Sequence, residues 1–257
     1  MANPNFSLTG RRALITGASG GLGLHFAEVL AAAGAKVVLT ARRSEQLETA
    51  VAGLTAKGYQ ASYVTMDVVD EASVAAAFAK AEAWLRDTVD LLINNAGLST
   101  SGKSHETTPS EWDLVMDTNL KGPWLVSRTF ALRLMATNQP GAIVHIGSIL
   151  GSRVAQAVPA YCASKAGLHH LTQVQALEWS RAKIRVNALS PGYIETDMNR
   201  EFFASEAGQR LVSRMTARRL GQAEELDGAL LLLASDAGRF INGSVLTVDG
   251  GHLASSL

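Results

Sequence analysis

The sequence predicts an α/β fold: a doubly wound parallel sheet of about seven strands with helices on both faces. Three observations predict it. Short apolar runs recur along the 257 residues, helix-period stretches fill the intervals, and the first run leads straight into a glycine-rich turn. The apolar runs are residues 13–16, 36–40, 61–66, 89–94, 142–146, 184–189 and 244–248. They are rich in Val, Ile and Leu without clean alternation, which is how strands buried on both faces of a parallel sheet read. The intervals carry 3.6-residue spacing, as in Leu22, Phe26, Val29, Leu30 and Ala33, then Val74, Ala77, Phe78, Ala81 and Leu85. No Pro- or Ser-rich linker and no internal repeat divides the chain, so one domain over residues 1–257 is expected.

Composition narrows the functional classes. Apolar residues make up 47% and charged residues 18%, which suits a buried core and argues against disorder. Lys plus Arg equals Asp plus Glu at 23 each, so charge offers no case for nucleic acid or an anionic membrane. Cys162 is the only cysteine, which excludes an intrachain disulfide and fits a reducing compartment. The start lacks a signal-peptide core, and the longest aliphatic run, near 229–234, is too short to span a bilayer. A cytoplasmic protein is expected.

The first strand runs into Thr16-Gly17-Ala18-Ser19-Gly20-Gly21-Leu22-Gly23. Glycines there let backbone N–H groups approach a phosphate, and the following helix offers its positive end. After the first strand of a βα series, such a turn is where a dinucleotide fingerprint belongs, of Rossmann type, although the spacing is TGxxxGxG. The same residues spell a Gly-x-Ser-x-Gly nucleophile elbow around Ser19, with Asp249 and His252 as partners. That alternative fails because an elbow needs an oxyanion donor from an earlier strand–helix loop, and only fifteen or so residues precede this turn.

An NAD-binding protein should carry an acid roughly 20 residues past the glycines to hold the ribose 2′-hydroxyl. Thr40-Ala41-Arg42-Arg43 stand there instead, and a guanidinium can grip a 2′-phosphate. The pair could also merely open a solvated helix. The missing acid and the two arginines favour NADP(H) over NAD(H).

Asp67-Val68 closes the third strand and Asn94-Asn95-Ala96-Gly97 the fourth, both at the strand ends where open α/β sheets bind ligands. Asn95 could equally tie neighbouring loops. Asn119 falls within a long helix expected over 110–135, where Asn is a poor helix former and either faces solvent or feeds a water chain. The fifth strand ends in Gly147-Ser148, and Tyr161-Cys162-Ala163-Ser164-Lys165 opens a helix that also contains Leu168, Leu171 and Leu177. Tyr161 and Lys165 are four apart, on one helix face. Lowering a phenol pKa from ~10 to near neutrality takes ~4 kcal/mol. One positive charge about 4 Å away at an effective dielectric of ~20 supplies roughly that. By itself such a pair usually marks a solvated helix face. The sixth strand leads to Ser190-Pro191-Gly192-Tyr193-Ile194-Glu195-Thr196, where Pro and Gly turn the chain over the crevice.

Taken together, TGASGGLG, NNAG, Asn119, Ser148, YCASK and the PG turn with Thr196 resemble the short-chain dehydrogenase/reductase family, in its order and approximate spacing, from Gly10 to Gly251. The resemblance implies that Gly17, Ser19, Gly21, Leu22 and Gly23 form the pyrophosphate turn. Asp67 and Val68 would flank the adenine, with Asn95, Ala96 and Gly97 beside the adenosine ribose. Pro191, Gly192 and Ile194 would also bind the cofactor, and Thr196 would hold the nicotinamide amide. Tyr161 would be the acid/base, and Lys165 would bind the nicotinamide ribose and depress the phenol pKa. Ser148 would bond the substrate oxygen, and Asn119 would hold the water continuing a proton relay. The family's cofactor rule agrees with Arg42 marking NADP(H).

The implied reaction is hydride transfer between NADP(H) and a small carbonyl or secondary-alcohol substrate. Substrate choice should lie in residues 197–220, the loop after Leu98 and residues 150–158. Met198, Phe202 and Phe203 suggest a partly apolar pocket. Arg200, Arg210, Arg214, Arg218 and Arg219 either steer an acidic substrate or carrier, or line a solvated helix. This half resembles both 3-oxoacyl-carrier-protein reductases and gluconate-type dehydrogenases. A dinucleotide sensor without turnover would not need Asn119, Ser148, Tyr161 and Lys165 together. His25, His105, His145, His169, His170 and His252 form no HExxH pattern, and no metal is expected. The family implies a homotetramer packed through the 110–135 helix and the helix carrying Tyr161.

Overall fold

The computed structural model describes residues 5–196 and 200–254. Seven parallel strands form one sheet in the order β3-β2-β1-β4-β5-β6-β7. They are β1 Arg12–Thr16, β2 Lys36–Ala41, β3 Ala61–Thr65, β4 Leu91–Asn94, β5 Gly141–Ile146, β6 Ile184–Pro191 and β7 Val245–Val248. The strand order reverses between β1 and β4, which opens a crevice at their C-terminal ends.

The helices are α1 Gly21–Ala32, α2 Ser44–Ala56, α3 Glu71–Leu85, α4 Pro109–Met116 and α5 Gly122–Thr137. Then come α6 Pro159–Trp179, α7 Arg200–Ala204, α8 Glu206–Ser213 and α9 Asp227–Ala234. Strand residues alternate between two cores, as the two-residue side-chain period requires. Ala13, Ile15, Leu91 and Ile93 join Phe26, Leu30, Leu47 and Leu230 on one face. Leu14, Val38, Leu92 and Ile143 join Phe78, Phe130 and Leu134 on the other. Burying each such large side chain contributes roughly 1.5–3 kcal/mol.

Local signals set the helix boundaries. Asp70 caps α3 by accepting from the N–H groups of Ala72 and Ser73. Thr108 and Glu111 form a capping box before Pro109. One stretch departs from expectation. Residues 110–135 are not a uniform α-helix, because Asp117–Lys121 forms a π turn between α4 and α5. No helix among the described residues is long and apolar enough to cross a membrane.

Candidate active site

The site is built on the C-terminal ends of β1, β4 and β5. Thr16 ends β1 with its hydroxyl accepting from the N–H groups of Asn95 at 3.0 Å and Ala96 at 2.9 Å. Asn95 Nδ2 donates to the carbonyls of Thr16 and Gly17, both at 3.1 Å. Asn95 therefore ties the two loops together with both of its amide protons.

The glycines of the first turn fall into two kinds. Gly17 has φ +64°, and a Cβ there would lie 2.8 Å from Ala96 Cα; on Gly23 it would lie 2.3 Å from the Gly17 carbonyl oxygen. These two glycines are required by packing inward. A Cβ on Gly20 or Gly21 would meet nothing within 4 Å, so that side of the turn is open. The N-terminus of α1 has no side-chain cap and no acidic residue in its first turn. Its leading N–H groups thus face an open approach without a competing carboxylate, which fits a phosphate. Ser19 and Leu22 are half-buried in the same turn.

Arg42 and Arg43 follow the last residue of β2 and are exposed. Among the described residues neither has an ion-pair partner. Asp67 orders its own turn, its carboxylate accepting from the Val69 N–H at 3.2 Å, while Val68 is buried. At the other end, Gly192 follows β6 so closely against Asp249 that a Cβ would lie 2.8 Å from Asp249 Cα. Pro191 and Ile194 are buried, and Thr196 is half-buried.

The side chains expected to handle the proton converge at the end of β5. Ser148 begins a tight turn, its hydroxyl accepting from the Leu150 N–H at 3.1 Å. Tyr161 lies in the first turn of α6, and Lys165 one turn further on has its ammonium 5.6 Å from the Tyr161 ring centroid. Lys165 is 5% exposed and donates to the Ile146 carbonyl at 2.8 Å. A Cβ on Gly97 would stand 3.7 Å from that ammonium, so the glycine keeps the approach clear. An ammonium carries three donors, and a buried one with protons to spare beside a glycine floor fits sugar hydroxyls.

Asn119 sits in the π turn and is fully buried, so the solvent-facing alternative is excluded. Its Oδ1 accepts from the Leu98 N–H at 2.9 Å. Its Nδ2 donates to the Leu98 carbonyl at 2.8 Å and to Ser164 Oγ at 3.2 Å, and Ser164 in turn donates to the Tyr161 carbonyl at 2.8 Å. Asn119 thus locks the loop after β4 to α6. Widening a helix by one residue per turn is a recurrent way to place a side chain that regular geometry would misdirect.

Electrostatics correct one expectation. Burial pushes the Tyr161 phenol above its ordinary value, while interaction with Ser148 pulls it partly back. Burial also lowers Lys165 to about 8. The ammonium lies over the ring face and is bonded to Ile146, so these side chains by themselves do not produce the expected lowering of the phenol.

For the arginines of residues 200–220 local pairing favours the solvated alternative. Arg200 pairs with Glu195, Arg210 with Glu206 and Arg219 with Glu225, so three of the five charges are already neutralised locally. Phe203 is buried against Tyr193, ring centroids 5.8 Å apart, while Phe202 is exposed. Met198 lies outside the described residues. Leu177 is 81% exposed and takes no part in the core.

Two residues gain a specific place beside the site only in the structure. His169, one turn beyond Lys165, is buried behind the Ser148 turn between Gly147 and Gly151. Its i+8 spacing from Tyr161 was a usable signal. Arg153 lies on the exposed loop after that turn and donates to the His252 carbonyl at 2.8 Å. Nothing local distinguishes it in the sequence.

A crevice with an open glycine turn and a tyrosine–lysine pair defines the chain as a dinucleotide-dependent oxidoreductase acting on CH–OH/C=O groups. A family model described as enoyl-(acyl carrier protein) reductase matches residues 17–252. The chain is 40% identical to gluconate 5-dehydrogenase of Gluconobacter oxydans, covering 99% of this chain and 100% of that protein. It is 37% identical to galactitol 2-dehydrogenase (L-tagatose-forming) of Cereibacter sphaeroides, covering 96% of each. A crystal structure of gluconate 5-dehydrogenase from Burkholderia cenocepacia, in complex with NADP and tartrate, superposes with a TM-score of 0.93 at 36% identity, covering 98% of this chain and 99% of that one. The chain belongs to the short-chain dehydrogenase/reductase family.

Proposed function

We propose that this protein is an NADP(H)-dependent dehydrogenase interconverting a secondary alcohol and a carbonyl on a sugar-acid, gluconate-type substrate, the chain working as one cytoplasmic domain. The observation that carries the reading is the convergence of Ser148, Tyr161 and Lys165 beside an open glycine turn. Arg42, exposed and without an ion-pair partner among the described residues, and the NADP-bound, gluconate-named relative support the choice of cofactor and substrate.

The cofactor, when bound, supplies or accepts the electron pair of the reaction as hydride. The chain's own groups handle the proton. Tyr161 gives its phenolic proton to the developing alkoxide in reduction and removes it in oxidation. Ser148 donates to the same oxygen, so two donors meet the charge that develops there. Lys165 holds the nicotinamide ribose and favours the phenolate once that end of the crevice is filled. Both Nδ2 protons of Asn119 serve Leu98 and Ser164, so any relay water would rest on an acceptor atom of that turn.

The reading includes a homotetramer packed through α4, α5 and α6. Exposed Trp112, Leu114, Trp124 and Val174 support it, as does an apolar groove of about 490 Å³ lined by Met116, Leu120, Trp124, Leu171 and Val174. A monomer mass by light scattering would refute that part.

The test is nicotinamide absorbance with sugar acids, neutral polyols and oxoacyl thioesters, each tried with both cofactors. Turnover of a gluconate-type acid with NADP⁺ is expected. Preference for a thioester would move the protein to the carrier-protein reductases, and silence with tight cofactor binding would make it a sensor. Faster turnover with NAD⁺ would remove the role given to Arg42.

A further inference from the structure

We propose that Arg153 recognises the carboxylate of the sugar-acid substrate and so decides between an acid and a neutral polyol. The proposal rests on the sugar-acid reading above and adds the group that would read the acid.

Arg153 is fixed to the reacting end of the crevice by its backbone. Its N–H donates to the Ile149 carbonyl at 2.9 Å, within the turn that Ser148 begins. Its guanidinium donates from Nη1 to the His252 carbonyl at 2.8 Å, joining the Ser148 loop to the segment after β7. The His252 ring packs edge-on against Tyr193, centroids 5.6 Å apart. Burial raises the Tyr193 phenol, and the charge of Arg153 partly opposes that shift. The guanidinium is thus joined to the Ser148 turn through its own backbone and to Tyr193 through His252.

Its charge is available. Among the described residues Arg153 has no carboxylate partner, in contrast to Arg200, Arg210 and Arg219. Asp249 is the acid nearby. Its two oxygens accept from the N–H groups of Gly251 at 2.8 Å and Leu253 at 2.7 Å, so both are engaged by its own turn. One Nη1 bond to a carbonyl leaves the guanidinium with further donors, enough for a bidentate carboxylate. An exposed arginine that merely braces a loop would serve acid and neutral substrates alike.

The test compares kcat and KM for gluconate and for a neutral hexitol, with NADP⁺, in the wild type, Arg153→Ala and Arg153→Lys. A charge-assisted hydrogen bond lost on binding corresponds to a roughly 10- to 100-fold rise in KM. That rise is expected for gluconate in the Ala variant with kcat nearly unchanged, with partial recovery in the Lys variant and an unaltered KM for the hexitol. Higher ionic strength should raise the wild-type KM for gluconate only. Equal losses on both substrates, or none on gluconate, would overturn the proposal while leaving the sugar-acid reading standing. A wild type that oxidises the hexitol and no sugar acid would overturn both.

Discussion

Lys165 donates from Nζ to the carbonyl oxygen of Ile146 at 2.8 Å, bonding the second turn of α6 to the last residue of β5. That bond holds a buried ammonium beside the Tyr161 ring and fixes the helix against the strand end from which Ser148 projects. Burial lowers Lys165 to about 8, so in the protein without cofactor its charge fades above that pH. On its proposed role, kcat/KM, which reports the free protein, should fall as pH rises past about 8. Lys165→Met should abolish the charge at every pH, reducing turnover by at least ~100-fold and weakening cofactor binding. Steady-state kinetics from pH 6 to 10 check both.

His169 explains why the residue before Ser148 is glycine. A Cβ on Gly147 would lie 2.5 Å from His169 Nε2, with nothing else closer than 3.5 Å outside that ring. Gly147→Ala should cost about 1–3 kcal/mol by overpacking, and the double variant with His169→Ala should recover much of that cost. Gly151→Ala should behave differently. There the Cβ meets the ring at 2.5 Å but also the Lys165 carbonyl oxygen at 2.8 Å, so removing the ring leaves a clash with backbone. Urea unfolding of the wild type and five variants, the three single substitutions and the two doubles, measures the coupling.

His145 makes stability depend on pH. Its Nε2 lies 3.0 Å from Gln175 Oε1 and its Nδ1 3.2 Å from Asn94 Nδ2, an arrangement suited to a neutral ring. Burial lowers its pKa to about 4, partly opposed by Gln175. The unfolded chain takes up the proton first, near its ordinary pKa of ~6.5. Stability from this group is therefore present above pH ~6.5 and is lost as pH falls toward 4, amounting to roughly 3 kcal/mol. Unfolding midpoints from pH 7 to 4 should show that loss, and His145→Gln should flatten it.

Much of this architecture was legible in the chain. Strands buried on both faces leave continuous apolar runs, so all seven were located to within two residues at each end. The full set Val74, Ala77, Phe78, Ala81 and Leu85 is buried as its spacing demands. What stayed hidden depends on contacts between distant residues. The π turn places Asn119 against Leu98 and Ser164, 21 and 45 residues away. Periodicity carries no trace of such a register change. Pairing of Arg219 with Glu225 and of Arg200 with Glu195 removed charges that looked available in a linear reading. Arg153 gained meaning only when the fold brought His252 to it, 99 residues later in the chain.

The central claim is that the Tyr161 phenol transfers the proton in each turnover. Tyr161→Phe keeps the ring that packs over Lys165 and removes only the hydroxyl. Measured with NADP⁺ and the best substrate, its kcat should fall by roughly 10²–10⁴-fold, while the cofactor dissociation constant stays within a few-fold of wild type. Ordinary turnover by that variant would contradict the account.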